Sequence, residues 1–278
     1  MLLSYHPCYA GDKNRLCAGR DPDESDRRAM TEADGVVLPQ GCRQSLFEMA
    51  AATCANVFPD YHARFKYPGK TGQSRLFKKL GVHYPRTEEF SNLAAFYRRA
   101  QEHPIIPETF GYPFVFKFDW SGEGINVLLI KSQDDFNQVL QLAETYEGTG
   151  QKGFVIQKYI PAGSRSLRVV AAGSRFISYW RVAPDGIFGT ALADGAVIDH
   201  KSDPSLQEKG INSIRQICAM TGINLAGFDL IFDETDEKEV PCFLEINYFF
   251  GRRGLGGSEM FYELLCSEID RWRKNLGL

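Results

Sequence analysis

The chain has 278 residues, 44% of them hydrophobic and 24% charged, with a formal net charge of −3. This is enough to bury a sizeable core in one large domain or a few small lobes, and the near-neutral balance argues against a general nucleic-acid binder, which would carry a basic excess. No run approaches the roughly 18–20 apolar residues of a membrane helix, and the opening residues lack the basic and apolar regions of a signal peptide.

In chain order, residues 1–30 are polar and carry little pattern. Residues 33–39 predict a short strand, and residues 44–57 carry Leu46, Met49, Ala50 and Cys54 at helical spacing. A small N-terminal α/β unit over residues 1–66 is therefore expected. Residues 64–72, with Pro68 and two glycines, read as a loop that holds Lys70 ahead of a short helix stopped by Gly81. Residues 84–87 lead out of that helix, 91–101 predict another, and 103–107 form a proline-bounded linker. A compact pattern follows: strand 114–118, a glycine turn Ser121-Gly122-Glu123-Gly124, strand 125–130, a helix opened by Ser132 and Asp135, and strand 154–160. Residues 167–172 and 175–182 predict a hairpin, and Ser205 with Glu208 reads as a capping box opening a helix that ends at Gly222. Strands at 226–232 and 240–246, joined by a polar run, precede a last helix from Ser258. This mixing without regular βαβ alternation predicts an α+β fold rather than a doubly wound sheet.

Seven scattered cysteines form no CxxC pair, and several, such as Cys218 and Cys242, sit inside apolar patterns. They read as small hydrophobes in a reducing, cytoplasmic setting rather than as zinc ligands or disulfides.

Three groups of residues carry chemistry. Asp229 lies in an apolar strand, and Glu245 and Asn247, two apart, share a face of the next. Pairing of those strands would gather an all-oxygen cluster suited to a hard cation such as Mg²⁺; a solvated sheet face is the other reading. Lys117 ends a strand just before the glycine turn, where backbone N–H groups and a lysine can meet phosphate, although most such turns are plain hairpins. Arg168 and Arg181, in successive strands, need an anionic partner or an exit to solvent.

Taken in order, these residues resemble the ATP-grasp superfamily from about residue 66 to 257. Lys70 with Leu80-Gly81-Val82 and Pro85-Arg86-Thr87 is similar to the opening lysine segment, and Phe114–Lys117 with residues 121–125 to the second lysine and its phosphate flap. Residues 155–160 resemble the strand that ends in the adenine connector, Leu167-Arg168-Val169-Val170 the strand after it, and Gly227-Phe228-Asp229 with Phe243–Asn247 the paired magnesium strands. The resemblance implies an ATP-grasp domain over residues 67–278, divided into a flap lobe (about 105–160) and a metal lobe (about 161–278), behind a short pre-ATP-grasp unit. It implies ATP contacts from Lys70, Lys117, Ser121, Gly122, Gly124, Gln157, Lys158, Tyr159, Ile160 and Ser166, with Mg²⁺ (or Mn²⁺) on Asp229, Glu245 and Asn247. Arg168 and Arg181 would face the reacting phosphate. Two departures stand out: Gln157 replaces an acid at the connector, and Ser166 stands where an acid often meets the ribose. Arg252 and Arg253, after Asn247, suit an anionic substrate or a solvated loop equally. The implied activity joins a small-molecule or peptide carboxylate to an amine or thiol through an acyl phosphate. A kinase on the same scaffold and a nucleotide-binding module without turnover are the alternatives.

Overall fold

The computed structural model describes residues 1–102, 109–120 and 126–278. The expected glycine turn, with Ser121, Gly122 and Gly124, and the linker 103–107 lie outside the described residues. The polar N-terminus does contain structure. Strands β1 (Leu2–Ser4), β2 (Lys13–Asn14), β3 (Gly35–Val37) and β4 (Val57–Phe58) form a parallel sheet in the order β2-β1-β3-β4. Helices α1 (Glu24–Thr31) and α2 (Gln44–Thr53) connect it.

Residues 64–72, expected as a loop, are mostly helical and fall in α3 (His62–Lys66) and α4 (Gly69–Leu80). Lys70 is thus in the first turn of a helix, not before one. The glycines that suggested a loop allow close packing instead. A Cβ on Gly69 would lie 2.5 Å from Asp119 Oδ1, and one on Gly72 2.3 Å from the Tyr67 carbonyl carbon. Leu76 and Phe77 are buried, and Gly81 closes the helix in the left-handed region (φ 67°) that costs glycine little.

An antiparallel sheet follows, in the order β5-β8-β6-β7: β5 (Thr87–Phe90), β6 (Phe114–Phe118), β7 (Val127–Ile130) and β8 (Phe154–Lys158). Helices α5 (Leu93–Glu102) and α6 (Gln133–Gly148) cover one face. Strand period two sends Phe114, Phe116 and Phe118 into an aromatic core with Phe90, Phe96, Phe136 and Phe154. Val115 and Lys117 alternate to the other face. Strand β5 escaped the sequence reading because Thr-Glu-Glu-Phe is a polar edge strand.

The third sheet has the order β11-β10-β9-β12-β13: β9 (Arg165–Ala172), β10 (Arg175–Val182), β11 (Val197–Asp199), β12 (Leu225–Ile231) and β13 (Cys242–Asn247). Leu167, Val169, Trp180, Phe228 and Leu230 fill a core with Ile214 and Ile217 of α7 (Pro204–Thr221). That helix starts at Pro204 with Asp203 as its N-cap, so Ser205 lies inside it and forms no capping box. The last helix, α8 (Ser258–Asn275), places Leu265 and Ile269 in one cluster with Leu2, Val37 and Phe58 of the first sheet and Val170 and Leu225 of the third. All seven cysteines are free; Cys42, Cys54 and Cys242 are buried and Cys8 is exposed.

Helix α4 ties the second and third sheets together. The Asp119 carboxylate, just past β6, accepts from the Thr71 N–H (2.8 Å) and hydroxyl (3.0 Å). On the other side the Gln73 amide donates to the Ile246 carbonyl and accepts from its N–H, both at 2.8 Å. Strand β13 is a sheet edge, so Gln73 satisfies backbone groups an edge leaves open. Because Gly72 sits between these two anchors against immovable backbone, Gly72→Ala is expected to destabilise the fold by about 1–3 kcal/mol. Differential scanning calorimetry should show this as a fall in Tm of about 2–4 °C per kcal/mol.

Candidate active site

The third sheet carries its polar residues in one transverse row. Tyr179 on β10 pairs with Arg168 on β9, Arg168 with Asp229 on β12, and Asp229 with Glu245 on β13. Cross-strand partners share a face, so one face of the sheet is core while the other presents phenol, guanidinium and two carboxylates in line. Arg181, two residues after Tyr179, pairs with Ser166 and joins the same face.

Asp229 is the centre of the row. Arg168 grips it bidentately, Nε to Oδ1 at 2.5 Å and Nη2 to Oδ2 at 2.9 Å. Arg181 Nη2 lies 2.7 Å from Oδ1, and Asn247 Nδ2 donates to Oδ2 at 3.1 Å. Burial alone would push this carboxyl up, but the two guanidiniums outweigh it and hold it below the usual carboxylate range. Gly227 makes room: a Cβ there would lie 3.0 Å from Arg168 Nη1. Glu245 is different. Among the described residues no hydrogen bond or ion pair reaches its carboxylate, and burial raises its pKa despite Lys70 and Lys117 nearby.

Across from the row, Lys117 is buried and likewise meets no hydrogen-bond partner or ion pair among the described residues. Burial drives its pKa down to about 8, only partly opposed by Glu245. Lys70, also buried, is shifted down by burial against the pull of Glu245 and Asp119.

Between the second and third sheets lies a cavity of about 560 Å³, within the usual size range of small-molecule sites. It brings together Lys117, Gln157, Lys158, Tyr159, Ile160, Ser166, Arg168, Arg181, Asp229, Glu245, Asn247 and Arg253. The connector 158–160 crosses between the sheets, with the Lys158 N–H bonded to the Arg86 carbonyl (2.9 Å). Gln157 donates to Thr87 Oγ1 at 3.0 Å. Ser166 Oγ is 2.5 Å from Thr190 Oγ1 and accepts from Arg181 Nη2 at 3.2 Å. Arg252 is not on the wall. Its guanidinium stacks on Phe261 and Tyr262 of α8, 5.0 and 4.4 Å from the ring centroids. The sequence reading missed Tyr179 and the segment 186–194, both on the wall. Tyr179 was recoverable from period two with Arg181; the segment carries no signal.

Among the described residues no three His, Cys, Asp or Glu side chains cluster as a metal site. The trio supplies two carboxylates and an amide, an all-oxygen set that fits a hard cation sharing a phosphate. Asn247 must donate its N–H to the acceptor-only Asp229, so its Oδ1 is the free atom. Among the described residues Glu245 and this oxygen have no hydrogen-bond partner and are open to a cation, while Asp229 also holds two arginines.

The RimK-like ATP-grasp domain profile matches residues 75–261, about two thirds of the chain. The chain belongs to the RimK-like ATP-grasp family. Members of the ATP-grasp ligase family are ADP-forming. The chain superposes on a RimK domain ATP-grasp protein from Sphaerobacter thermophilus DSM 20745 at TM-score 0.62 and 14% identity, covering 96% of this chain and 98% of that one. It superposes on D-alanine–D-alanine ligase from Bacillus anthracis at 0.61 and 14%, covering 96% and 88%. An N5-carboxyaminoimidazole ribonucleotide synthetase in complex with ADP aligns at 0.59 and 11% over 88% of this chain, which spans only 62% of that enzyme. At these identities the shared property is the ATP-grasp fold. No curated protein matches the sequence.

Lys117 gives a test of the site's electrostatics. The folded state releases its proton near pH 8, whereas the ordinary lysine value is 10.5. Between those values the unfolded chain binds more protons, so stability rises with pH; below pH 8 the full penalty is present. Lys117→Met should therefore stabilise the ligand-free protein at pH 7 by up to about 3 kcal/mol. It should also abolish the rise between pH 8 and 10.5, as read from urea unfolding at several pH values.

Proposed function

We propose that the protein is an ATP- and Mg²⁺-dependent ligase that joins a carboxylate to an amine or thiol through an acyl phosphate. The observation that carries this reading is the meeting, on one cavity, of a buried lysine with no hydrogen-bond or ion-pair partner among the described residues, two arginines and a carboxylate–amide pair. Such a set complements a polyphosphate with its cation on one side and an anionic acceptor on the other.

In this reading Lys117 and Lys70 neutralise the phosphates, and phosphate contact offsets the cost of burying the Lys117 charge. The backbone of Lys158–Ile160 binds the adenine, and Gln157, oriented by Thr87, backs it. Ser166, turned to Thr190 and Arg181, shapes the wall near the ribose rather than accepting its hydroxyls. Asp229, Glu245 and Asn247 Oδ1 would hold Mg²⁺; the cation would neutralise charge on the transferred phosphoryl group. Arg168 and Arg181 face that group as it passes to the substrate carboxylate, so the acyl phosphate forms against positive charge already in place. The nucleophile then attacks the acyl carbon and phosphate leaves. Positioning and charge do this work, with no covalent enzyme intermediate.

Arg253, exposed on the cavity wall with no side-chain hydrogen bond or ion pair among the described residues, is the cation available to an anionic substrate. We assign residues 1–66 as the pre-ATP-grasp unit and 67–278 as the ATP-grasp domain, with the substrate side between them. The partners are small molecules or peptides. Among the described residues no helix is long and apolar enough to cross a membrane, which accords with a cytoplasmic enzyme.

The test is ADP release from ATP and Mg²⁺ across a panel of carboxylates paired with amines and thiols. At least one pair should give turnover, and Glu245→Gln and Lys117→Met should each lower it by about 10²-fold or more. No ADP from any pair, together with unchanged nucleotide affinity in Glu245→Gln, would falsify the reading.

A further inference from the structure

We propose that Asp119 is a positioning residue for nucleotide binding: it caps the N-terminus of α4 from the end of β6, and so sets the helical turn that carries Lys70. This rests on the reading of the cavity as an ATP site and deepens it.

Helix α4 has no cap of its own. The residue before it is Pro68, whose side chain makes no capping bond, and its first turn holds no acid. A helix start in that condition leaves N–H groups without partners. Asp119 supplies the missing acceptor from 48 positions along the chain: Oδ1 accepts from the Thr71 N–H at 2.8 Å and Oδ2 from the Thr71 hydroxyl at 3.0 Å. Thr71 is the third helical residue, whose N–H an N-cap carboxylate ordinarily serves, and the negative charge also meets the positive end of the helix. Two glycines make room for this carboxylate. A Cβ on Gly69 (φ 67°) would lie 2.5 Å from Asp119 Oδ1, and one on Gly153 (φ 91°) 3.3 Å from Asp119 Cβ. The Asp119 N–H donates to the Gly153 carbonyl at 3.0 Å, which continues the β6–β8 ladder one residue past β6.

Lys70 stands between Gly69 and Thr71 in the turn that Asp119 holds, so fixing Thr71 fixes the Lys70 backbone. Its side chain is buried within reach of charges on the cavity wall: Glu245 attracts both Lys70 and Lys117, and the two lysines repel one another. Lys117 lies two residues before Asp119, and Phe118 between them turns to the aromatic core. Period two therefore sends Lys117 and Asp119 to the same face. One strand end sets both ammonium groups, Lys117 directly and Lys70 through the cap. Like charges do not hold such a spacing unaided, and Asp119 is the contact that holds it until phosphate arrives.

The test is a double-mutant cycle on the affinity of the full chain for a non-hydrolysable ATP analogue, adenylyl imidodiphosphate, with Mg²⁺, read by isothermal titration calorimetry. Asp119→Ala should weaken binding about tenfold, the size of a lost cap. Lys70→Met should weaken it about 30-fold, the loss of a charged hydrogen bond. The double variant should bind like Lys70→Met alone, because a cap that acts through Lys70 then has nothing to act on. Asp119→Asn keeps an acceptor for the Thr71 N–H and should stay within about threefold of the wild type. Should Asp119→Ala fail to fold, Thr71→Val takes its place in the cycle: it lacks only the hydroxyl, should lose about threefold, and its loss should likewise vanish beside Lys70→Met. If the capping variant binds as the wild type does, or if its loss multiplies with that of Lys70→Met, the proposal is overturned while the ATP-site reading stands. If the wild type does not take up the analogue, both fall together.

Discussion

A buried carboxylate is expensive unless its charge is met, and so is a buried guanidinium. Asp229, Arg168 and Arg181 solve these problems for one another on the concealed face of the third sheet. Removing Asp229 would leave two guanidiniums without a counter-charge in a poorly hydrated place, and removing both arginines would leave the carboxylate so. The rest of the local sequence follows from that constraint. Phe228 and Leu230 alternate to the core under α7, Gly227 gives up a side chain so that Arg168 can lie flat, and Asn247 completes the carboxylate's shell. The single acid of the apolar strand β12 is thus the centre of an ion network built into a β-sheet.

The cavity that this face lines is left unfinished. Lys117 has no counter-ion among the described residues and Glu245 has no donor, and burial pushes each toward its neutral form. They do not simply cancel, because they belong to different sheets on opposite sides of the cavity. A ligand that carries phosphate toward Lys117 and a cation toward Glu245 repairs both defects at once, and its binding draws on energy the empty fold already spends. Helix α4 makes the arrangement possible. With Asp119 holding its first turn and Gln73 seated on the edge of β13, it ties the two sheets together and buries Lys70 within reach of the Glu245 charge, though not on the cavity wall.

How much of this was legible depended on whether a residue's partner is near it in pattern or only in space. The glycine-bounded hairpin of β9 and β10, the phenylalanine alternation in β6 and the acids in β12 and β13 obey period two, so their faces could be read directly. The gathering of Asp229, Glu245 and Asn247 followed from that pairing. The bond of Asp229 to two arginines did not, because an acid in an apolar strand reads the same with a metal or a guanidinium beside it. Lys70 was misplaced in a loop because glycine is a breaker by propensity; here Gly69 and Gly72 serve close approach to Asp119 and to Tyr67 instead. Gln73 and Asp119 were invisible, since each acts on backbone or hydroxyl groups far along the chain. Strand β5 was lost to polarity, as edge strands often are.

Neighbouring arginines with opposite fates separate what is general in the site from what is particular. The row on the third sheet is rigid, because its side chains are locked by strand pairing and by one another. The walls farther out come from the turn after β13 and the segment 186–194, which no ladder constrains. Arg252 is committed there to stacking on α8, and it also donates to Gln40, in the turn after β3, at 3.4 Å. It therefore pins the N-terminal unit against the site without entering the cavity. The short 3-10 turn at Arg253–Leu255 then faces Arg253 the other way, onto the wall. Gly254 rests against the Tyr179 ring so closely that a Cβ would lie 2.1 Å from it. Arg253 is thereby tied to the end of the same row that holds Asp229. In the proposed reading an anionic substrate meets Arg253 at one end of a line whose other members are already fixed, and its reacting group is delivered by distance along that line. Selectivity then resides in the loop residues and chemistry in the strands.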